Sequence, residues 1–137
     1  MYVPRKRRPS LVEAALVNLF FFEKEQDAKA LIEALDTAGL DVRAAFWNLD
    51  GGRWKLWLAL SEVREHGPKW VYAKLASHVQ HLRNIDLSEI TVVEPEHSFV
   101  QLLRKLIQTG PTITAIQLSD NTVNGHLIED VLVHRVL

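Results

Sequence analysis

From Leu11 onward apolar residues recur every three to four positions. Leu11, Val12, Ala15, Leu16, Leu19 and Phe20 lie at helical spacing, and Ala28, Leu31, Ile32, Leu35 and Ala38 continue the pattern. Gly39 stands where a helix C-cap glycine belongs. The spacing predicts one long helix or two consecutive ones, with the charged stretch 23–27 as the place for a break. The period then shortens to two. Val42 to Leu49 and Arg53 to Leu60 are strand-like runs around Asp50-Gly51-Gly52, a strong hairpin signal. A loop at Asp50-Gly51 or at Gly51-Gly52 leaves the same residues on each face, because the two registers differ by an even number. One face carries Ala45, Trp47, Leu49, Trp54, Leu56 and Leu58 and reads as core. The other carries Val42, Ala44, Phe46, Asn48, Arg53, Lys55, Trp57 and Ala59.

A polar connection, Ser61 to His66, leads to Gly67-Pro68, where Pro occupies its favoured place at the start of a helix. Tyr72, Leu75, Ala76, Val79 and Leu82 form the apolar stripe of that helix, while Trp70, Lys74, Ser77 and His81 lie on a different side. Ile90-Thr91-Val92-Val93 is a short β-rich run. The next helix opens at Pro95, with Glu94 and Glu96 suiting its positive end. Phe99, Leu102, Leu103, Leu106 and Ile107 follow the i, i+3, i+4, i+7, i+8 pattern, and Gly110-Pro111 stops it. Thr112 to Leu118 and Leu127 to Val136 read as strands joined by Ser119 to Gly125, with Asn124-Gly125 as the tight turn. The order α-β-β-α-β-α-β-β predicts an α+β fold. It is a single small domain with a mixed or mainly antiparallel sheet of about five strands and helices on one side.

The chain of 137 residues has the size of one domain. Its 47% apolar and 24% charged residues are those of a globular protein, which excludes disorder and collagen-like repeats. With no Cys there is no disulfide framework, thiolate site or cysteine nucleophile, and a cytoplasmic address is the expectation. The net charge of -1 hides an asymmetry. Arg5, Lys6, Arg7 and Arg8 form a basic arm over residues 1–10, and the domain over 11–137 is acidic. Four cations followed by the apolar run Leu11 to Phe22 imitate a secretory signal. Glu13 and Asn18 interrupt that run, no small-x-small cleavage site follows, and about 20 residues are needed to cross a bilayer. Neither export nor a membrane partner is expected.

Three groups of residues are candidates for function. Phe20, Phe21 and Phe22 point in three directions about 100° apart on a helix, so one core cannot easily bury all of them. They are either clamped between the sheet and another element or, with Trp57, anchors of a self-association or protein interface. The hairpin face with Phe46, Arg53, Lys55 and Trp57 places aromatics among cations. With Arg5, Lys6, Arg7 and Arg8 it would suit single-stranded nucleic acid, and the alternative is a half-covered sheet face. At the C-terminal end His126, Asp130, Asn121 and Asn124 could serve acid–base chemistry. Asp130 would be the carboxylate, His126 the proton carrier and an Asn the substrate donor, while the plainer reading is a turn leading into a charged edge strand.

His78 and His81 could reach one metal but lack a second pair, so no metal site is expected. The sequence has no Walker loop, dinucleotide-binding glycine fingerprint, His-Glu-x-x-His or Gly-x-Ser-x-Gly, and it calls for no cofactor. The leading expectation is a non-enzymatic interaction module, a homo-oligomer or a small subunit of a larger assembly.

Several stretches carry a resemblance. They are Val42-Arg43-Ala44-Ala45-Phe46-Trp47, Gly67-Pro68 with Tyr72, Ile90-Thr91-Val92-Val93, and Thr109-Gly110-Pro111 through Asn121-Thr122-Val123-Asn124-Gly125 to Ile128-Glu129-Asp130. Over residues 28 to 137 they resemble a group of short uncharacterised bacterial proteins. The resemblance implies one coherent small domain of bacterial type and brings no activity, cofactor or catalytic residue.

Overall fold

The central hairpin is set by its two glycines. In the computed structural model Gly51 and Gly52 both have positive φ, 58° and 79°, the conformation that matches a tight turn to the twist of the strands it joins. The turn closes β1 (Val42–Asp50) on β2 (Arg53–Leu60) with Asp50 opposite Arg53 and Leu49 opposite Trp54. The structure describes the backbone of residues 11–123 and 126–137, and the side chains of residues 21–49, 51–119 and 130–137. The basic arm, residues 1–10, lies outside the described residues.

Before the hairpin runs α1 (Leu11–Thr37), a single helix with no break at 23–27. It ends where Gly39 N–H bonds the Asp36 carbonyl and Leu40 N–H bonds the Leu35 carbonyl, a glycine C-cap. After the hairpin come α2 (Glu62–His66), where a polar connection is predicted, α3 (Pro68–Val79), a 3-10 turn at Leu87–Glu89 and β3 (Ile90–Val93). Then follow α4 (Ser98–Leu106), β4 (Ile116–Val123) and β5 (His126–Val136). The five strands form one mixed sheet in the order β3-β2-β1-β5-β4, in which only the β2–β3 pair is parallel. The α+β class and the five-stranded sheet are as the sequence predicts.

Two apolar layers hold the sheet. Trp47, Leu56, Leu58 and Leu132 face Ala28, Leu31, Ile32 and Leu35 of α1, Val63 of α2 and Val71, Leu75 and Val79 of α3. On the opposite face Ala44, Phe46, Ala59, Val131, Val133 and Val136 meet Val100 and Leu103 of α4. Helices α1 to α3 thus share one side, and α4 covers part of the other.

Three local expectations are corrected. Val42 lies with the Trp47 layer, not with Phe46, because a register shift between Val42 and Ala44 turns it to the opposite side. α4 starts after a turn in which His97 N–H bonds the Glu94 carbonyl, and His97 Nδ1 caps it by accepting Phe99 N–H at 3.1 Å. It also ends early. Ile107 is extended, and Thr109 N–H bonds the Val136 carbonyl, so the end of β5 competes successfully for the backbone that would continue the helix. Finally, Thr112 to Ala115 precede the strand, while the polar run from Ser119 is part of it. Ser119, Asn121, Thr122 and Val123 pair with Asp130, Ile128, Leu127 and His126. Cross-strand pairing overrides the turn preference of those residue types.

Candidate functional site

The hairpin face proposed for nucleic acid is covered by the protein itself. Phe46 is completely buried. Trp57 stacks on it at 5.7 Å, meets Phe99 at 5.4 Å and receives the edge of His97 at 5.2 Å. The cause is the short α4, whose apolar side needs a face to pack on. Arg53 remains exposed, while Lys55 Nζ donates to the Ser88 carbonyl at 2.7 Å. Phe46 is thus out of reach of a base, and Trp57 is half-buried with Phe46, Phe99 and His97 around it.

The phenylalanine trio divides. Phe21 packs on Trp54 at 4.8 Å and on Trp47 at 5.9 Å, so it closes the α1 side of the core near the hairpin turn. Phe22 is 54% exposed. The Phe20 side chain lies outside the described residues.

The proposed acid–base group falls on a paired β-ribbon. Asn121 is opposite Ile128, with Asp130 and His126 two positions to either side, and Asp130 is opposite Ser119. His126 and Asp130 are therefore about 13 Å apart along the strand. The side chains of Asn121, Asn124 and His126 lie outside the described residues. β5 is not an edge strand, as the sequence suggests, but an interior one between β1 and β4. Among the described residues no group of three or more acidic or histidine side chains could hold a metal ion. His78 is half-buried and His81 exposed on α3.

One buried histidine, His134, lies outside all three candidate groups. It is completely buried, at a register shift where β5 carries an extra residue opposite β1. Its Nδ1 is 2.7 Å from the Thr114 carbonyl, so Nδ1 carries the proton, and Nε2 is left without a partner among the described residues. Thr114 N–H in return bonds the His134 carbonyl at 2.7 Å, and its hydroxyl donates there too. Burial lowers the imidazole's pKa below the usual histidine value, the Thr114 bond opposes that, and Lys29 of α1 adds to the lowering.

Below the ordinary histidine value of about 6.5 the unfolded chain takes up a proton that the native chain refuses, so stability falls with pH until the native pKa is reached. Between pH 7.5 and 5.5 the native protein should lose more stability than a His134→Asn variant, which keeps a donor for Thr114 without titrating, and the ordinary value of about 6.5 limits the difference to about 1.4 kcal/mol. Urea unfolding at the two pH values measures the difference, and equal losses would remove His134 as the cause.

A cavity of about 520 Å³ lies between α1 and the segment after α3. Lys24 is buried at its wall, and its Nζ donates to the Asn84 carbonyl at 2.8 Å and to Glu89 at 2.5 Å. Asp27 accepts Asn84 N–H at 2.8 Å. These polar groups answer one another and tie α1 to the connection before β3.

The edges of the sheet differ. β3 has four residues, and Tyr72 of α3 seals its outer side, accepting Val92 N–H at 3.0 Å and donating to the Ile90 carbonyl at 3.3 Å. β4 has eight residues and stands last in the order at the other side. Ile116 and Leu118 lie opposite Val133 and Val131 of the α4-side layer, yet Ile116 is 38% exposed. Leu106, at the end of α4 on the same side of the sheet, is 36% exposed. The turn-forming residues from Ser119 onward hide this open edge in the sequence. The available signal was Ile116 and Leu118 at strand spacing, followed by Thr122-Val123 directly before Asn124-Gly125.

No described helix is long and apolar enough to cross a membrane. Comparison of the chain with protein-family models, curated proteins and solved structures finds no match.

Proposed function

We propose that this protein is a non-enzymatic interaction module that self-associates through β4. The observation that supports the reading is an eight-residue edge strand flanked on one side by exposed Ile116 and Leu106. A strand edge presents unpaired N–H and C=O groups, and proteins that stay monomeric blunt such edges with short strands, Pro, charge or a covering element. β3 is blunted in this way by its length and by Tyr72. β4 contains no Pro, and Asp120 is its only charged residue.

The occupant that suits this edge is a second copy. Antiparallel pairing of β4 with its own copy places a two-fold axis normal to the sheet, so the same face of both sheets stays on the same side. Ile116 and Leu106 of the two copies then lie on one side of a continuous sheet, where they extend a single apolar surface. A standard interface takes about 800 Å² from each partner. That is about a tenth of this chain's 8517 Å² of accessible surface.

Sedimentation equilibrium of the full chain tests the reading. A concentration-dependent dimer is expected, weakened at least tenfold by Ile116→Lys together with Leu106→Lys and unchanged by Phe22→Glu. A monomer at high micromolar concentration overturns it. So does a dimer that Phe22→Glu breaks and the β4 pair of substitutions leaves intact, since assembly would then run through α1.

A further inference from the structure

We infer that the outer side of α3 binds the backbone of a single-stranded nucleic acid. From His66 to Ile85 the chain has no Asp or Glu, although it carries 17 elsewhere. The same stretch holds three cations, Lys69, Lys74 and Arg83, and three imidazoles, His66, His78 and His81. Val71, Leu75 and Val79 turn the opposite side of α3 into the core. His66, Lys69, Lys74, His81 and Arg83 are exposed, and Trp70 and His78 are half-buried. Lys69, Lys74 and Arg83 form no ion pair among the described residues. Acidic groups border this surface, with the Glu65 carboxylate 3.8 Å from His66 Nε2 and Asp86 and Glu89 lining the same cavity as Arg83, while Lys69 and Lys74 lie in the acid-free stretch of α3.

The aromatic part of the site is built. The His66 imidazole lies flat on the Trp70 indole, with centroids 4.2 Å apart and planes inclined by 24°. Lys74 Nζ sits 5.1 Å from the centroid of the Trp70 ring. The outer face of the exposed imidazole continues the stack, so a base can be added as a third ring while a phosphate meets Lys74 or Lys69. Cations tracking a backbone beside rings that accept bases is how proteins hold single strands without reading sequence. Acidic side chains of a peptide would satisfy the cations but would leave the rings unused, which favours a nucleic acid. α3 is about 18 Å long, with Lys69 and Lys74 about 7.5 Å apart along its axis and Arg83 beyond its end, a length that matches a short track of nucleotides.

Fluorescence anisotropy of labelled oligouridine and oligodeoxythymidine with the full chain tests this. Both are expected to bind alike, because neither stacking nor phosphate contact needs the 2′-hydroxyl. Three phosphate contacts should make binding about 20-fold weaker in about 200 mM than in about 50 mM salt. Lys69→Glu, Lys74→Glu and Arg83→Glu together should weaken binding at the lower salt at least tenfold with an unchanged thermal melt. His66→Ala should weaken it several-fold without changing the salt slope. The Ile116→Lys, Leu106→Lys variant should bind as the parent does, which separates this site from the β4 edge. No binding at the lower salt overturns the inference. So does equal binding by the triple variant, which would transfer the contact to Arg5–Arg8. Equally tight capture of a polyglutamate peptide, lost in the same triple variant, would assign the surface to acidic peptides instead.

Discussion

Replacement of Trp47 by alanine is expected to lower the unfolding free energy by about 3–5 kcal/mol, the usual cost of emptying a buried aromatic site. Trp47 is completely buried in β1, the middle strand of the sheet, with Leu56 and Leu132 beside it on the neighbouring strands. Phe21 of α1 meets it edge-on, so its loss also removes the contact that closes the core at the hairpin end of α1. For a chain of this size a loss of that order shifts the melting temperature by roughly 10–20 °C. Trp47→Phe should cost much less than size alone suggests. The indole Nε1 has no partner among the described residues, and phenylalanine removes that buried N–H together with part of the ring. Chemical denaturation of both variants gives the two numbers. A loss below about 1 kcal/mol for the alanine variant would mean that Trp47 does not hold the centre of this core.

What was legible from the chain and what was not divides along the distance over which the residues act. The hairpin was legible because its signal is local. Gly51 and Gly52 sit between runs of period two, and the assignment of Trp47, Leu56 and Leu58 to one face follows from alternation alone. Alternation failed only at Val42, where the register shift is set by the neighbouring strand. The early end of α4 has its cause in Val136, 27 residues from Thr109, and no periodicity within the helix reports it. The assignment of β5 to an edge failed for the same reason, since the strand order depends on pairings of β1 and β4 that lie far apart in sequence. On the functional side, Trp70, Lys74 and His81 were visibly apart from the apolar stripe of α3. The stack of His66 on Trp70 was not visible, because Gly67, with φ of 83°, interrupts the helix between them. Phe46 misled in the opposite direction. Its position beside Lys55 and Arg53 suggests an exposed face until α4, more than 50 residues later, covers it.

The join between α1 and β5 should give the second large effect, and the cost should be unequal for its two halves. Arg135 is 5% exposed and donates both terminal nitrogens to Asp36, Nη1 to Oδ1 at 2.9 Å and Nη2 to Oδ2 at 2.7 Å. Asp36 belongs to the last turn of α1, where a negative charge meets the negative end of the helix dipole, and α1 has no basic residue there to compensate. Arg135 supplies that compensation from the other end of the chain. Asp36→Ala leaves a guanidinium buried without its counter-ion. Breaking a fully buried pair in this way costs about 3–5 kcal/mol, and because the Asp36 side chain is 40% exposed a value of about 2–3 kcal/mol is expected. Arg135→Met removes the charge and keeps most of the apolar stem, and it releases Asp36 toward solvent. Nε of Arg135, which has no partner among the described residues, disappears with it. Its cost should be about 1 kcal/mol or less. The double variant should then be more stable than Asp36→Ala alone, because the second substitution removes the stranded charge. Urea unfolding of the three variants measures the order. If Arg135→Met costs as much as Asp36→Ala and the double variant is no better than either, the pair contributes net attraction, and the desolvation of Arg135 is smaller than its burial implies.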